Sequence, residues 1–428
     1  MQFFDGLVAC RAAIERANAK RSFSASPELE AQVQALCDDV RTRGDAALWE
    51  QARRFDCPTL QSDGLQVTSD EIEAAWRALP DPAKAALERA ARNIEAFHIA
   101  QRPRDFEIET PEGACVGARY RAVERAGIYA PNGRAAYPST VLMLAVPARV
   151  AGVREVVLAT PAGKDGGAHP VILAAAQVAG IEEIWKIGGA GAVAAFAWGT
   201  QSVRRVDKIA GPGSIYFSLA KKHVFGEVGV DGLYGPSEVA VVADEDQLPN
   251  ATQLAADLLA QAEHGADSFV AFLSPSREVC DAVARELETQ ANASPRALLA
   301  LQALESSLLL HVETMADACA LASECAMEHV EMWSSQARAW SERIENAGAI
   351  FINTPVPLGD YIIGPSHTLP TGATARFASG VGVDTFLRRT SIIEAPPRAV
   401  ADLADDLETI ALLEDLPGHA AATRRAAR

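Results

Sequence analysis

The sequence predicts an α/β protein with two incomplete Rossmann-like parallel-sheet domains, a helical N-terminal region and a helical C-terminal tail. Three observations carry this. Residues Ser26 to Gln101 show helix-period spacing, strand-length apolar runs alternate with helix-length segments from Gly127 onward, and the tail from Pro397 is Ala-rich. At 428 residues the chain exceeds the size at which one core usually stops growing, so more than one core is expected.

In order along the chain, Pro27 sits where a first helical residue is tolerated, and Ser69-Asp70 reads as a cap before Ile72, Trp76 and Leu79. Pro80 and Pro82 break that run. Strands are expected near Gly127–Ala130, Val156–Thr160, Glu183–Ile187 and Val206–Ala210. After a pause at Gly226–Pro236 they resume at Glu238–Ala243, Ser268–Ser274, Ser307–Val312, His329–Met332 and Ala349–Asn353, each followed by a helix except the last. The pattern is that of parallel sheets with helical crossovers. It divides the chain into a discontinuous α/β domain (1–126 and 238–384), an inserted α/β domain (127–237) and a tail (385–428). The Gly- and Pro-rich stretch from Asn353 to about Asp384 is too long for an ordinary connection and is expected to be functional.

Composition narrows the function classes. A net charge of −17 argues against nucleic acid as a partner, because such affinity rests on Lys and Arg neutralising phosphates. Seven cysteines, odd in number and without Cys-x-x-Cys spacing, fit neither a disulfide framework nor a thiolate zinc knuckle, and point to a reducing cytoplasm. Leu7-Val8-Ala9-Cys10 looks like a lipoprotein box but lacks the basic start and the apolar run. No apolar stretch reaches the roughly 18 residues a membrane span needs.

Four places could carry chemistry. Gln261 and His264 lie three apart at a helix end closed by Gly265, on one face, a spacing that a solvated terminus also shows. Glu328-His329 opens a strand and pairs an acid with an imidazole, although adjacent strand residues point to opposite faces. The long loop holds Asp360 and His367, and Glu414 precedes His419 around a helix break that equally suits a frayed end. Together Gln261, His264, Asp360 and His419 form an N/O ligand set suited to zinc in an open site. Gly189-x-Gly191-x-x-Ala194 copies a dinucleotide-binding turn, with Asp207 near the place of a ribose-binding acid, but tight packing also uses such turns. Gly211-Pro212-Gly213-Ser214 is a second, phosphate-style turn before a helix.

These motifs are not independent. The run from Gly127-Ile128-Tyr129 through Asn132-Gly133 to Met143 resembles histidinol dehydrogenases, as do Asp207-Lys208-Ile209 and Gly235-Pro236-Ser237-Glu238. So do Gln261-Ala262-Glu263-His264-Gly265, Glu328-His329, Gly359-Asp360-Tyr361 and His367-Thr368-Leu369-Pro370-Thr371, in the same order. The resemblance implies zinc, one ion per subunit, on Gln261, His264, Asp360 and His419, the last reaching across a homodimer with shared active sites onto which the tail packs. It implies Glu328 and His329 as the acid/base pair, and a small-molecule substrate contacted by Ser237, Gln261, His264, His329, Asp360, His367, Glu414 and His419. It implies an NAD-linked oxidation of L-histidinol through the aldehyde to L-histidine, with Tyr129, Gly191 and Ser214 at the NAD positions. At two of these the chain departs from the family: a usual glutamine is Gly191 and a usual asparagine is Ser214, which predicts weaker NAD binding. Asn132 stands where the family has glycine. A paralogous zinc and NAD dehydrogenase for another small alcohol, such as a dihydroxypropane sulfonate, and a non-catalytic zinc-dependent binding protein are the alternative readings.

Overall fold

The structure is a computed structural model and describes residues 1–23, 25–61, 64–132 and 136–426, so Gly133 of the quoted run lies outside the described residues. The chain opens with β1 (Gln2–Asp5) and α1 (Leu7–Arg21). Four helices follow, α2 (Pro27–Arg43), α3 (Asp45–Phe55), α4 (Ser69–Ala78) and α5 (Asp81–Gln101). Ser26 caps α2 by accepting the Leu29 N–H, and Pro27 and Pro82 sit in first turns that need no donor. The cap of α4 is Thr68, one residue earlier than Ser69, because Thr68 and Glu71 form a reciprocal capping box.

A hairpin the sequence did not announce comes next, β2 (Phe106–Glu109) and β3 (Cys115–Ala122). Every residue of β2 is exposed, so no alternation of apolar and polar residues marks it. The chain then runs through β4 (Arg125–Tyr129), α6 (Pro138–Ala151), β5 (Glu155–Ala159), α7 (Pro170–Ala179), β6 (Glu183–Trp185), α8 (Gly189–Trp198), β7 (Lys208–Ala210), α9 (Ile215–Val224) and β8 (Gly229–Val230). These strands form a parallel sheet in the order β6-β5-β4-β7-β8.

The next unit holds β9 (Glu238–Ala243), α10 (Ala251–Ala262), β10 (Phe269–Ser274), α11 (Arg277–Ala293), α12 (Ala297–Ser306) and β11 (Leu308–His311). It continues with α13 (Met315–Cys325), β12 (His329–Trp333), α14 (Ala337–Ser341), β13 (Ala349–Ile352) and the short α15 (Pro357–Tyr361). Its parallel sheet has the order β1-β11-β10-β9-β12-β13, so the first strand of the chain closes one edge. The chain ends with β14 (Leu387–Glu394), α16 (Pro397–Leu413) and α17 (Pro417–Ala426). The segment 385–428 is therefore not wholly helical: β14 pairs antiparallel with β3, a partner more than 260 residues away that local pattern cannot reveal.

The structure also redistributes the N-terminal helices. Val33, Cys37, Leu48 and Ala52 share a core with Val193, Phe196 and Phe217, and Ile72, Ala90 and Ile94 share one with Leu144 and Ile172. Helices α2–α5 thus pack on the five-stranded unit rather than on the six-stranded sheet, which β1 and α1 join, with Cys10 and Ile14 against Leu310 and Leu321. Helix α5 also meets the long loop, Asn93 donating to the Ile362 carbonyl and Gln101 accepting the Val383 N–H. Periodicity shows which face of a helix is apolar, not which sheet it covers.

Candidate active site

Between the two sheets lies a cleft of about 860 Å³. The six-stranded sheet offers it the amino ends of its strands, where Glu238, Phe269 and His329 open β9, β10 and β12, while the five-stranded sheet offers the loops after β4 and β7. Glu328-His329 is thus at an amino edge, not the carboxyl edge at which α/β sheets usually place reactive groups.

His329 is buried in the cleft wall, and its Nδ1–H donates to the Glu238 carbonyl at 3.0 Å. Nε2 lies 3.1 Å from Asp360 Oδ1. The Glu328 carboxylate accepts the Glu238 N–H at 2.9 Å and sits 3.6 Å from His329 Nδ1. One peptide unit pair therefore positions both members of the acid/base couple. Glu238 is itself fixed by its side chain, which pairs with Arg21 at 2.7 Å and accepts the Gly372 N–H at 3.0 Å. Sequence reasoning missed Glu238 and Arg21 as site residues; the available signal was a carboxylate heading a strand that is otherwise apolar.

Asp360 Oδ2 accepts the Gln261 amide N–H at 3.2 Å. The Gln261 Oε1 is buried and receives no hydrogen bond, an orphan acceptor that a cation would satisfy. His264 follows at the end of α10 and also lines the cleft. His367 donates from Nδ1 to the Asp360 carbonyl at 2.6 Å, and its Nε2 is 3.0 Å from Thr140 Oγ1, which donates to it. Ser237 lines the same cleft.

The electrostatics are those of a desolvated cluster. Burial pushes Glu328 up to about 8, against the opposing pull of His329 and the Glu238 N–H. Burial opposes the charged form of His329, but Glu328 and Asp360 outweigh it and raise the imidazole to about 9. Asp360 stays below the usual carboxylate range despite burial, through its contacts with His329. Burial lowers His264 and His367, favouring the neutral imidazole that a metal site needs.

Glu414 and His419 stand apart from this cleft, exposed at the junction of α16 and α17. The two tail helices pack chiefly on each other and leave Leu403, Leu407, Ile410, Leu413 and Leu416 exposed. Among the described residues, no three His, Cys, Asp or Glu side chains are grouped to hold a metal.

On the cofactor side, Ser214 lines the cleft, but Tyr129 and Gly191 do not. Tyr129 is buried, stacked on Phe217 at 4.0 Å, with its hydroxyl accepting the Gly189 N–H at 3.3 Å. A Cβ at Gly191 would meet Gln51 Oε1 at 3.0 Å, and one at Gly188 would meet Asp56 Oδ2 at 3.0 Å. Gly188 and Gly191 are thus closely backed from the α3 side, whereas a Cβ at Gly189 would meet nothing within 4 Å. Asp207 is likewise spent, its carboxylate accepting the N–H groups of Glu124 and Arg125 at 3.0 and 3.1 Å.

A family model for histidinol dehydrogenase matches residues 19–426. The chain belongs to the histidinol dehydrogenase family. A histidinol dehydrogenase of Parasynechococcus marenigrum is 43% identical over 417 residues, 97% of this chain and 94% of the relative. One from Moorella thermoacetica is 46% identical over 396 residues, 92% of this chain and 93% of the relative. The crystal structure of histidinol dehydrogenase from Elizabethkingia anophelis superposes with a TM-score of 0.94 at 34% identity, covering 100% of this chain and 98% of that one. As a member of the histidinol dehydrogenase family, the protein is an oxidoreductase of histidine biosynthesis. No helix among the described residues is long and apolar enough to cross a membrane.

Proposed function

We propose that the protein oxidises L-histidinol twice, to L-histidinal and then to L-histidine, with zinc and NAD. The observation that carries this reading is the convergence of Gln261, His264, His329, Asp360 and His367 on one cleft, with an orphan oxygen on Gln261. The donor set is hard to borderline and contains no thiolate, which fits zinc. Gln261, His264 and Asp360 would hold the ion, and His419 of the partner subunit would complete the set. The exposed leucines of α16 and the exposure of His419 support a homodimer with shared sites. Zinc, when bound, supplies an anchor for the imidazole and amine of the substrate.

The remaining chemistry belongs to the chain. In its neutral form, held as the Nδ1–H tautomer by the Glu238 carbonyl, His329 offers Nε2 to the hydroxyl proton of the first oxidation. Glu328, whose burial brings its proton exchange to about 8, activates the water that hydrates the aldehyde before the second. NAD, when bound, accepts the hydride of each oxidation, and Ser214 is the one of its three expected contacts that faces the cleft.

The test is the yield of NADH per histidinol consumed by zinc-loaded protein. Two per substrate is expected; one means the reaction stops at the aldehyde, and none at saturating NAD, with turnover of a sulfonated diol, transfers the site to the paralogous chemistry.

A further inference from the structure

Behind the cleft lies a second pair of acids outside the catalytic chemistry proposed above. Asp257 on α10 and Glu331 on β12 are buried at 3% and 0% exposure, and their carboxyls hydrogen-bond to each other. Two carboxylates cannot do so unless a proton lies between them. The surrounding donors say where it sits. Glu331 Oε1 accepts the Val356 N–H at 2.8 Å and Oε2 accepts the Trp333 indole N–H at 2.7 Å. Asp257 Oδ1 accepts the Gln253 amide at 2.8 Å, whereas Oδ2 receives no N–H.

We propose that Asp257 Oδ2 carries a proton donated to an ionised Glu331, and that this pair is a positioning device for the active site. Burial raises both carboxyls, Glu331 to about 8, so the pair holds a proton at neutral pH, and the two N–H groups on Glu331 leave Asp257 Oδ2 as its seat. The device joins the three elements that bear the site. Asp257 stands one helical turn before Gln261, Glu331 shares the strand face of His329, and Val356 opens the turn whose carbonyl accepts the Asp360 N–H at 3.1 Å. Glu331 thus sets the height of α10 and α15 against β12, and through them the spacing of Gln261, Asp360 and His329. The inference rests on the cleft being the site of oxidation.

The chemistry is asymmetric, and so is the test. In Asp257→Asn the new amide donates where the acid did and still accepts from Gln253, so kcat and KM for histidinol should stay within about threefold of wild type. In Glu331→Gln one of two N–H donors loses its acceptor, and in Asp257→Leu the bridge is gone. Both should lower kcat roughly 10–100-fold and raise KM, because the site residues move together. Infrared difference spectra at pH 7 should show a protonated buried carboxylic acid in wild type that Asp257→Asn lacks, beside the Glu328 band common to both proteins. Absence of the Asp257 band from wild type, or an Asp257→Asn protein as impaired as Glu331→Gln, would overturn the proposal. If Asp257→Leu does not fold, the contrast between the two amide variants decides. The infrared arm holds even if wild type fails to oxidise histidinol, which would count against the substrate and not the pair.

Discussion

Replacing Arg21 by Met tests how the acid/base couple is held. Arg21 and Glu238 form an ion pair at 2.7 Å with side chains 9% and 3% exposed, and Arg21 also donates to the Cys325 carbonyl at 2.9 Å. Removing one partner of such a pair leaves a buried charge and costs on the order of 3–5 kcal/mol. For a chain of 428 residues that corresponds to a fall in Tm of roughly 3–6 °C. Glu238 would keep only the Gly372 N–H on its carboxylate, and its peptide groups hold both Glu328 and His329. A shift there should lower kcat about 10–100-fold. The decisive assay is a double-variant cycle by calorimetry and steady-state kinetics with Glu238→Gln. The pair Arg21→Met and Glu238→Gln removes the uncompensated charge and should recover about 1–3 kcal/mol relative to the sum of the single losses. Strictly additive losses would refute the coupling and leave Arg21 a packing residue over Phe269.

Three further outcomes follow from the geometry. Ser214→Asn, which adds an amide to the cleft, should lower KM for NAD about three- to tenfold, while Gly191→Gln should bring no gain and lower Tm because its Cβ abuts Gln51; titration of NADH fluorescence separates them. Burial pushes Asp56 up to about 6, so its folded value lies above the unfolded one and its ionisation destabilises the fold as pH rises through that value. Asp56→Asn should therefore raise stability at pH 8, by at most about 3 kcal/mol and less for a part-exposed group, and give no gain at pH 4, as read from Tm at both values. Mixed dimers of His329→Ala and His419→Ala chains should recover one working site where each homodimer has none; no recovery would mean that each chain completes its own site.

What the sequence by itself determined was local. Periodicity marked Ser26–Gln101 as helical and placed the strands of both parallel sheets other than β1 and β8 to within a few residues, because burial on one face leaves its period in the chain. The spacing of Gln261 and His264 put both on one helix face, and the motif order tied them to Asp360 and His367, which the fold brings into the same cleft. What only the tertiary structure decided concerns partners distant in sequence. The pairing of β14 with β3, the packing of α2–α5 on the five-stranded unit and the seat of β1 beside β11 depend on which apolar face meets which, and each face alone fits several partners. The glycine-rich turn is the sharpest case. Gly188 and Gly191 read equally well as part of a dinucleotide cradle or of a packing turn, and only the fold brings Asp56 and Gln51, more than 100 residues earlier, to within 3.0 Å of where a Cβ would stand at each. Arg21 and Glu238 were invisible as site residues for the same reason: a charge is functional or structural according to what it is buried against, and that is settled by the fold.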